Sequence, residues 1–133
     1  MPSYHATRKA LSTFHRDEEP LSLRYRGDGW PGYLKATYTN GESDRMTYND
    51  SWGKILGREL GFRCKICPDG IGMLADISSG DSWNTKDGYP DFTEGDGKNF
   101  CFVRTDKGRQ LFAEAKRLGY IDIEPLDIQK VND

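Results

Sequence analysis

The sequence predicts an α+β fold: a small, mostly antiparallel sheet with two to three helices and a long cysteine-bearing loop. Three observations predict it. Alternating apolar and polar runs surround a strong hairpin signal at Asn40-Gly41. Apolar residues recur at helical spacing in three other segments. Between them, Phe62 to Gly97 is dense in Gly, Asp, Pro and Ser and short on apolar runs, the texture of a functional loop. At 133 residues the chain has the length of one ordinary domain, so residues 1–133 are expected to form a single one.

The elements follow in order. Ser3 to Phe14 reads as a helix capped by Ser3, with Tyr4, Thr7, Leu11 and Phe14 along one side and the Asp17-Glu18-Glu19-Pro20 run ending it. Leu21 to Arg26 alternates as a strand with Leu21, Leu23 and Tyr25 inward. Tyr33 to Thr39 and Arg45 to Tyr48 are the arms of the Asn40-Gly41 hairpin. Asn49 to Leu60 reads as a helix capped by Asn49 or Asp50, burying Trp52, Ile55, Leu56 and Leu60 and stopped by Gly61. Within the loop, only Met73 to Ile77 has the pattern of a buried strand. Phe100 to Arg104 is a strand. Thr105 or Asp106 caps a helix to Leu118, with Leu111, Phe112, Ala115 and Leu118 inward, and Gly119 stops it. Tyr120 to Glu124 alternates as a last strand.

Composition narrows the function classes. Nineteen basic against twenty-one acidic residues give a net charge of −2, which does not favour binding nucleic acid through the overall field. Sixteen aromatics (three Trp, seven Tyr, six Phe) argue against disorder. The longest apolar runs are a few residues, far short of the roughly 20 that span a bilayer. The N-terminus lacks a secretory apolar core, so the expected compartment is the cytoplasm. Three cysteines cannot all pair within one chain.

Two of those cysteines stand as Cys64-Lys65-Ile66-Cys67, a spacing that brings two thiolates to one metal ion or one iron–sulfur cluster. Arg63 and Lys65 flank the pair and favour the thiolate form. Either site needs about four ligands, and the chain adds only Cys101 and two histidines, His5 and His15. Cys101, between Phe100 and Phe102, reads as a small buried hydrophobe; the histidines read as surface residues. The pair reads as half of a ligand set. A thioredoxin-type redox pair is disfavoured, because Pro68-Asp69-Gly70 turns the chain away just after Cys67. A zinc knuckle, plain structural cysteines and cluster ligation stay open.

Two more segments carry chemistry. Ala75-Asp76-Ile77-Ser78-Ser79-Gly80-Asp81-Ser82-Trp83 sets two Asp around a Ser-Ser-Gly turn at a strand end. Gly80 would let a planar ligand or a phosphate approach the backbone, and Trp83 offers a stacking face. The alternative is a tight turn with Trp83 anchoring the loop. At Arg104-Thr105-Asp106-Lys107-Gly108 a strand runs into a helix N-terminus, which suits an anion or serves as a plain cap. Arg24, Arg26 and Lys35 read as the wet face of the meander, and Trp30 and Trp52 as core or loop anchors.

Taken in order, Tyr25-Arg26-Gly27-Asp28-Gly29-Trp30-Pro31-Gly32, Tyr48-Asn49-Asp50-Ser51-Trp52-Gly53-Lys54, Arg63-Cys64-Lys65-Ile66-Cys67-Pro68-Asp69-Gly70, Ala75-Asp76-Ile77 through Gly80-Asp81-Ser82-Trp83, and Arg104-Thr105 with Gly108 resemble one known family. It is the C-terminal domain of the coenzyme F(420) hydrogenase/dehydrogenase beta subunit, and the resemblance runs from about Pro2 to Asp127. It implies a flavin- and iron–sulfur-dependent oxidoreductase that moves electrons between a hydride carrier such as coenzyme F(420), FAD and a 4Fe-4S cluster. On this chain it implies Cys64 and Cys67 as cluster ligands, Asp76, Ser78, Gly80, Asp81 and Trp83 bordering the flavin, and Arg104 and Thr105 near it. Members of the family are longer, with an N-terminal half bearing further cysteines. The expectation is thus a partial chain whose FAD and cluster binding need that half or a partner redox subunit, with the deazaflavin coenzyme as a further partner. Ser82 stands where Ala is commoner. The competing expectation is a non-enzymatic interaction module or a zinc-binding structural module.

Overall fold

The computed structural model describes residues 1–126, which divide into two units: Met1–Pro68 with Phe92–Gly97, and Asp69–Asp91 with the chain from Lys98 onward. Among these residues no helix is long and apolar enough to cross a membrane.

In the first unit, the Ser3 hydroxyl accepts from the Ala6 amide at 3.1 Å and opens helix α1, Tyr4–Ser12. The buried side of α1 differs from the predicted one. Ala6 and Ala10 are the buried residues, while Tyr4 is 79% exposed. Apolar size suggests a Tyr4-Thr7-Leu11-Phe14 stripe, yet two alanines allow the backbone to approach its neighbour more closely than large side chains would. That neighbour is the helix Asn49–Leu56, on which α1 packs.

Three short strands, β1 (Ser22–Arg24), β2 (Leu34–Thr37) and β3 (Ser43–Met46), form the predicted antiparallel meander in the order β1-β2-β3. Leu23 lies opposite Ala36, and Ala36 opposite Asp44. Being central, β2 buries Leu34 and Ala36, with Tyr38 just beyond it. β1 and β2 are shorter than their apolar patterns, and β3 starts two residues before the predicted Arg45; Leu21, predicted inward, is 71% exposed. At the hairpin Gly41 takes φ 84°, the left-handed conformation that glycine accepts without strain.

The segment Asn49–Leu56 is a helix as predicted, but wound wide as a π-helix. Its last turn closes with the Gly57 amide donating to the Trp52 carbonyl, five residues back, at 2.9 Å. Neither Asn49 nor Asp50 caps it. Instead the Thr47 hydroxyl accepts from the Asp50 amide at 3.2 Å and donates to the Asp50 carboxylate at 2.7 Å. Leu56 is fully buried and joins Ala6, Ala10 and Leu34 in the core, bordered by Leu23, Met46, Trp52 and Ile55. Gly61, predicted as a stop, precedes a further single turn, α2 (Phe62–Ile66).

In the second unit, β4 (Ile77–Asp81) pairs antiparallel with β7 (Asn99–Val103), from Ile77 opposite Val103 to Asp81 opposite Asn99. The predicted strand at Met73 to Ile77 is absent there, and Leu74 is 100% exposed. The Asp69 carboxylate accepts from the Ile71 amide at 3.2 Å and from the Met73 amide at 2.9 Å, which fixes a turn where the apolar pattern suggests a strand. Next comes a hairpin of β5 (Thr85–Lys86) and β6 (Tyr89–Pro90), with Asp87 and Gly88 at φ 53° and 78°. Helix α3 (Asp106–Arg117) is capped by Thr105, as predicted. Its inward face is narrower than expected: Phe112 and Ala115 are half-buried, whereas Leu111 and Leu118 are 64% and 47% exposed. Gly119 ends it at φ 74°. Tyr120 to Glu124, predicted as a strand, has no strand partner among the described residues, although Ile121 and Ile123 keep their half-buried alternation.

Candidate functional site

The candidate residues fall in both units, and each group has its own geometry. Cys64 lies on α2 and Cys67 ends it, so the pair occupies one helical turn rather than open loop. The turn is anchored by the Cys64 amide donating to the Gly61 carbonyl at 3.0 Å. Both cysteines are exposed and in no disulfide. The α-amino group of Met1 donates to Cys64 Sγ at 3.3 Å, and the Gly61 amide donates to the Met1 carbonyl at 3.0 Å. Among the described residues no three His, Cys, Asp or Glu side chains gather as a metal site. The donors thus fit a soft metal or a cluster chemically but supply two ligands of about four.

In the second unit, Asp76, Ser78, Arg104 and Thr105 form one corner where β4, β7 and α3 meet. Thr105 has two bonds through its hydroxyl: it accepts from the Gly108 amide at 3.1 Å and donates to the Asp76 carboxylate at 2.7 Å. Lys107 Nζ lies 3.3 Å from the same carboxylate. The Thr105 hydrogen bond, helped by Lys107, holds the Asp76 carboxyl below the ordinary carboxylate range. The N-terminus of α3 is therefore already answered by a carboxylate, and an anion placed there would meet like charge. A Cβ on Gly108 would lie 2.6 Å from the Asp76 carbonyl oxygen, so glycine lets α3 seat closely on the start of β4.

Arg104 stands on the other side of the corner. Its guanidinium donates to Ser78 Oγ at 2.6 Å and to the Ile71 carbonyl at 2.9 Å, and lies 5.2 Å from the centre of the Phe102 ring. Gly80 does not open the backbone to a ligand on this face: a Cβ there would come within 2.5 Å of the Phe100 ring, which covers it. Asp81, opposite Asn99, and Trp83, half-buried two residues on, lie at the far end of β4 from Arg104. Cys101 corrects its expectation. It is exposed, because a two-stranded ribbon leaves a face uncovered and Cys101 sits across from the exposed Ser79.

One arrangement in the first unit goes beyond the sequence reading. Arg26, expected on the wet face, lies 4.4 Å from the centre of the Trp30 ring and 5.7 Å from that of Tyr48, and its Nε donates to the Pro31 carbonyl at 3.0 Å. Tyr48 in turn stacks on Trp52 at 6.4 Å and tilts against Phe92 at 4.9 Å. The available signal is the arginine placed before Gly-Asp-Gly-Trp-Pro, whose turns return the tryptophan over its guanidinium.

Fold and side chains together define a small α+β fold that presents an external thiol pair and a hydrogen-bonded strand–helix corner. Over residues 1–129 the chain matches the family model described as the C terminus of the coenzyme F(420) hydrogenase/dehydrogenase beta subunit, and it belongs to that family. The family is one of redox enzyme subunits, and a beta subunit implies partner subunits. No curated protein and no solved structure matches the chain.

Proposed function

We propose that this chain is the electron-transfer part of a flavin- and iron–sulfur-dependent oxidoreductase, with Cys64 and Cys67 as two thiolate ligands of a 4Fe-4S cluster. The observation that carries the reading is the exposure of both thiols on one anchored turn, within a chain of this family. Arg63 and Lys65 alternate with the cysteines and offset the charge that thiolates and cluster bring together. The remaining ligands come from outside the described pair, in the reading from the N-terminal half or a partner redox subunit.

FAD, and with it a hydride carrier such as coenzyme F(420), completes the proposal. When bound, the flavin couples two-electron hydride exchange to the one-electron steps of a cluster. Asp81 and Trp83 are the residues of the β4 end assigned to border it, Trp83 by its ring face. Asp76, Ser78, Arg104 and Thr105 act from the other end of β4: their mutual hydrogen bonds fix where β4 and α3 begin. Arg104 and Thr105 are in this reading positioning residues, since both are already engaged within the corner.

The test is anaerobic purification of the chain together with its partner subunit, followed by iron, sulfide and flavin analysis. Iron with flavin in the wild-type assembly, and loss of iron in Cys64→Ser with unchanged far-UV circular dichroism, is the expected result. Iron content unmoved by Cys64→Ser would reject the ligand assignment. A second reading is a zinc-binding structural module, because the same two exposed thiols also suit zinc. Stoichiometric zinc with neither iron nor flavin would replace the first reading with it.

A further inference from the structure

We propose that the outer face of the β1-β2-β3 meander docks a carboxylate-rich segment of a partner protein, through a row of three cations backed by a row of three hydroxyls. This face is independent of the electron-transfer reading and of the cysteines. Its basis is register. Arg24 lies opposite Lys35 and Lys35 opposite Arg45, so the three stand side by side across the sheet on one face. Two residues along each strand, Ser22, Thr37 and Ser43 form a second row on the same face. Leu23, Leu34, Ala36 and Met46 point the other way, into the core.

Like charges directly opposite on neighbouring strands destabilise a sheet. Among the described residues one carboxylate answers the row. Asp28, held at φ 58°, sits 2.8 Å from Lys35 Nζ and 4.0 Å from the Arg24 guanidinium. Lys35, and more weakly Arg24 and Arg45, hold its carboxyl below the ordinary range. Three cations against one carboxylate leave two positive charges here, on a chain whose net charge is −2. The openness of the face decides the occupant. The Arg24 side chain is 70% exposed, too open to enclose a small anion against screening by salt. Tyr33, the aromatic residue beside the row, already carries Arg45 on its ring at 4.6 Å, which takes a face that a nucleic-acid base would need. Several carboxylates on one protein surface would meet the spaced cations and hydroxyl donors together. A beta subunit has partner subunits to present them.

The chain is titrated against a fluorescein-labelled decaglutamate peptide and followed by fluorescence anisotropy. Saturable binding is expected at about 0.01 M salt and its loss at about 1 M, as the screening length falls from ~30 Å to ~3 Å. Arg24→Gln and Arg45→Gln should each weaken binding by roughly twofold to fivefold, the worth of an exposed ion pair, with unchanged circular dichroism. Asp28→Asn removes the built-in counter-charge and keeps a residue suited to positive φ, so it should strengthen binding by a similar factor. Lys116→Gln, which lowers the net charge equally from α3, should leave it unchanged. Equal losses in Lys116→Gln would reduce the effect to the overall field and overturn the docking face. So would an absence of saturable binding at low salt, or binding that Arg24→Gln and Arg45→Gln together leave intact. Displacement of the peptide by inorganic phosphate at matched ionic strength would replace the segment with a small anion. Tighter binding of an oligothymidylate of equal charge would replace it with nucleic acid. None of these readouts involves iron or flavin, so each outcome leaves the cluster reading where it stood.

Discussion

The Arg104 guanidinium and the Ser78 hydroxyl meet at 2.6 Å, and both also donate to the Ile71 carbonyl, at 2.9 Å and 2.8 Å. Three groups from three segments are tied at one oxygen and one hydroxyl. The loop before β4 is thereby fastened to the strand that leads into α3. Arg104→Ala removes two of the three bonds and should cost on the order of 1 kcal/mol. Arg104→Lys restores charge but cannot reach both acceptors with a planar fork. Amide exchange should quicken at Gly72 and Met73 in both variants, more in the alanine one. Unchanged exchange there would show that Asp69 alone holds the loop.

Gly80 and Phe100 are directly opposed across the ribbon, and the ring occupies the space of the missing side chain. A methyl added at Gly80 would lie 2.5 Å from the ring, so Gly80→Ala must displace Phe100 and disturb its contact with Phe102 at 5.2 Å. The expected loss is about 1–3 kcal/mol, the range for overpacking. In a double-mutant cycle with Phe100→Ala most of that loss should vanish, because nothing remains to clash. Additive effects in the cycle would mean that the glycine is needed for its backbone alone.

Acid should loosen the second unit through Asp76 and Asp69. Both carboxyls lie below their ordinary values, Asp76 through Thr105 and then Lys107, Asp69 through the Met73 amide. A lowered folded-state value means that each carboxylate stabilises the fold above the ordinary aspartate range, near pH ~4. The contribution is lost as pH falls through the lowered value. Denaturant midpoints should therefore drop as pH falls below about 4. Asp76→Asn should flatten that drop, and an unaltered slope would exclude the Thr105 bond as its source.

What is legible in the sequence is what neighbouring residues decide among themselves. Ser3 and Thr105 cap helices as predicted because each hydroxyl reaches an amide three residues on. The Asn40-Gly41 hairpin sets the register of β2 and β3 for the same local reason. Structure and expectation part where apolar size does not translate into burial. Ala6 and Ala10 displace Tyr4 from the core, and Asp69 turns a chain whose Met73 and Leu74 look like strand. The Asp87-Gly88 hairpin is a local signal as well, though it lies inside the segment expected to be loop. At the site, Thr105 is legible, but the Arg104–Ser78 bond joins residues 26 apart, a separation no local pattern encodes.

Leu56 shows how little apolar volume holds the first unit together. It is fully buried beside Ala6, Ala10 and Leu34, and two of those partners are alanines. Leu56→Ala would leave a cavity that neither alanine can fill, at a cost of about 2–5 kcal/mol, a large share of the ordinary margin of a small unit. The effect should reach the cysteines. The π-helix that Leu56 ends leads through Gly57 to Gly61, whose carbonyl anchors the Cys64 amide. Alkylation of Cys64 should then lose its dependence on a folded anchor and approach the rate measured in denaturant, while Leu56→Met, which preserves volume, should keep the native rate. Equal rates in Leu56→Ala and wild type would separate the thiol turn from the core.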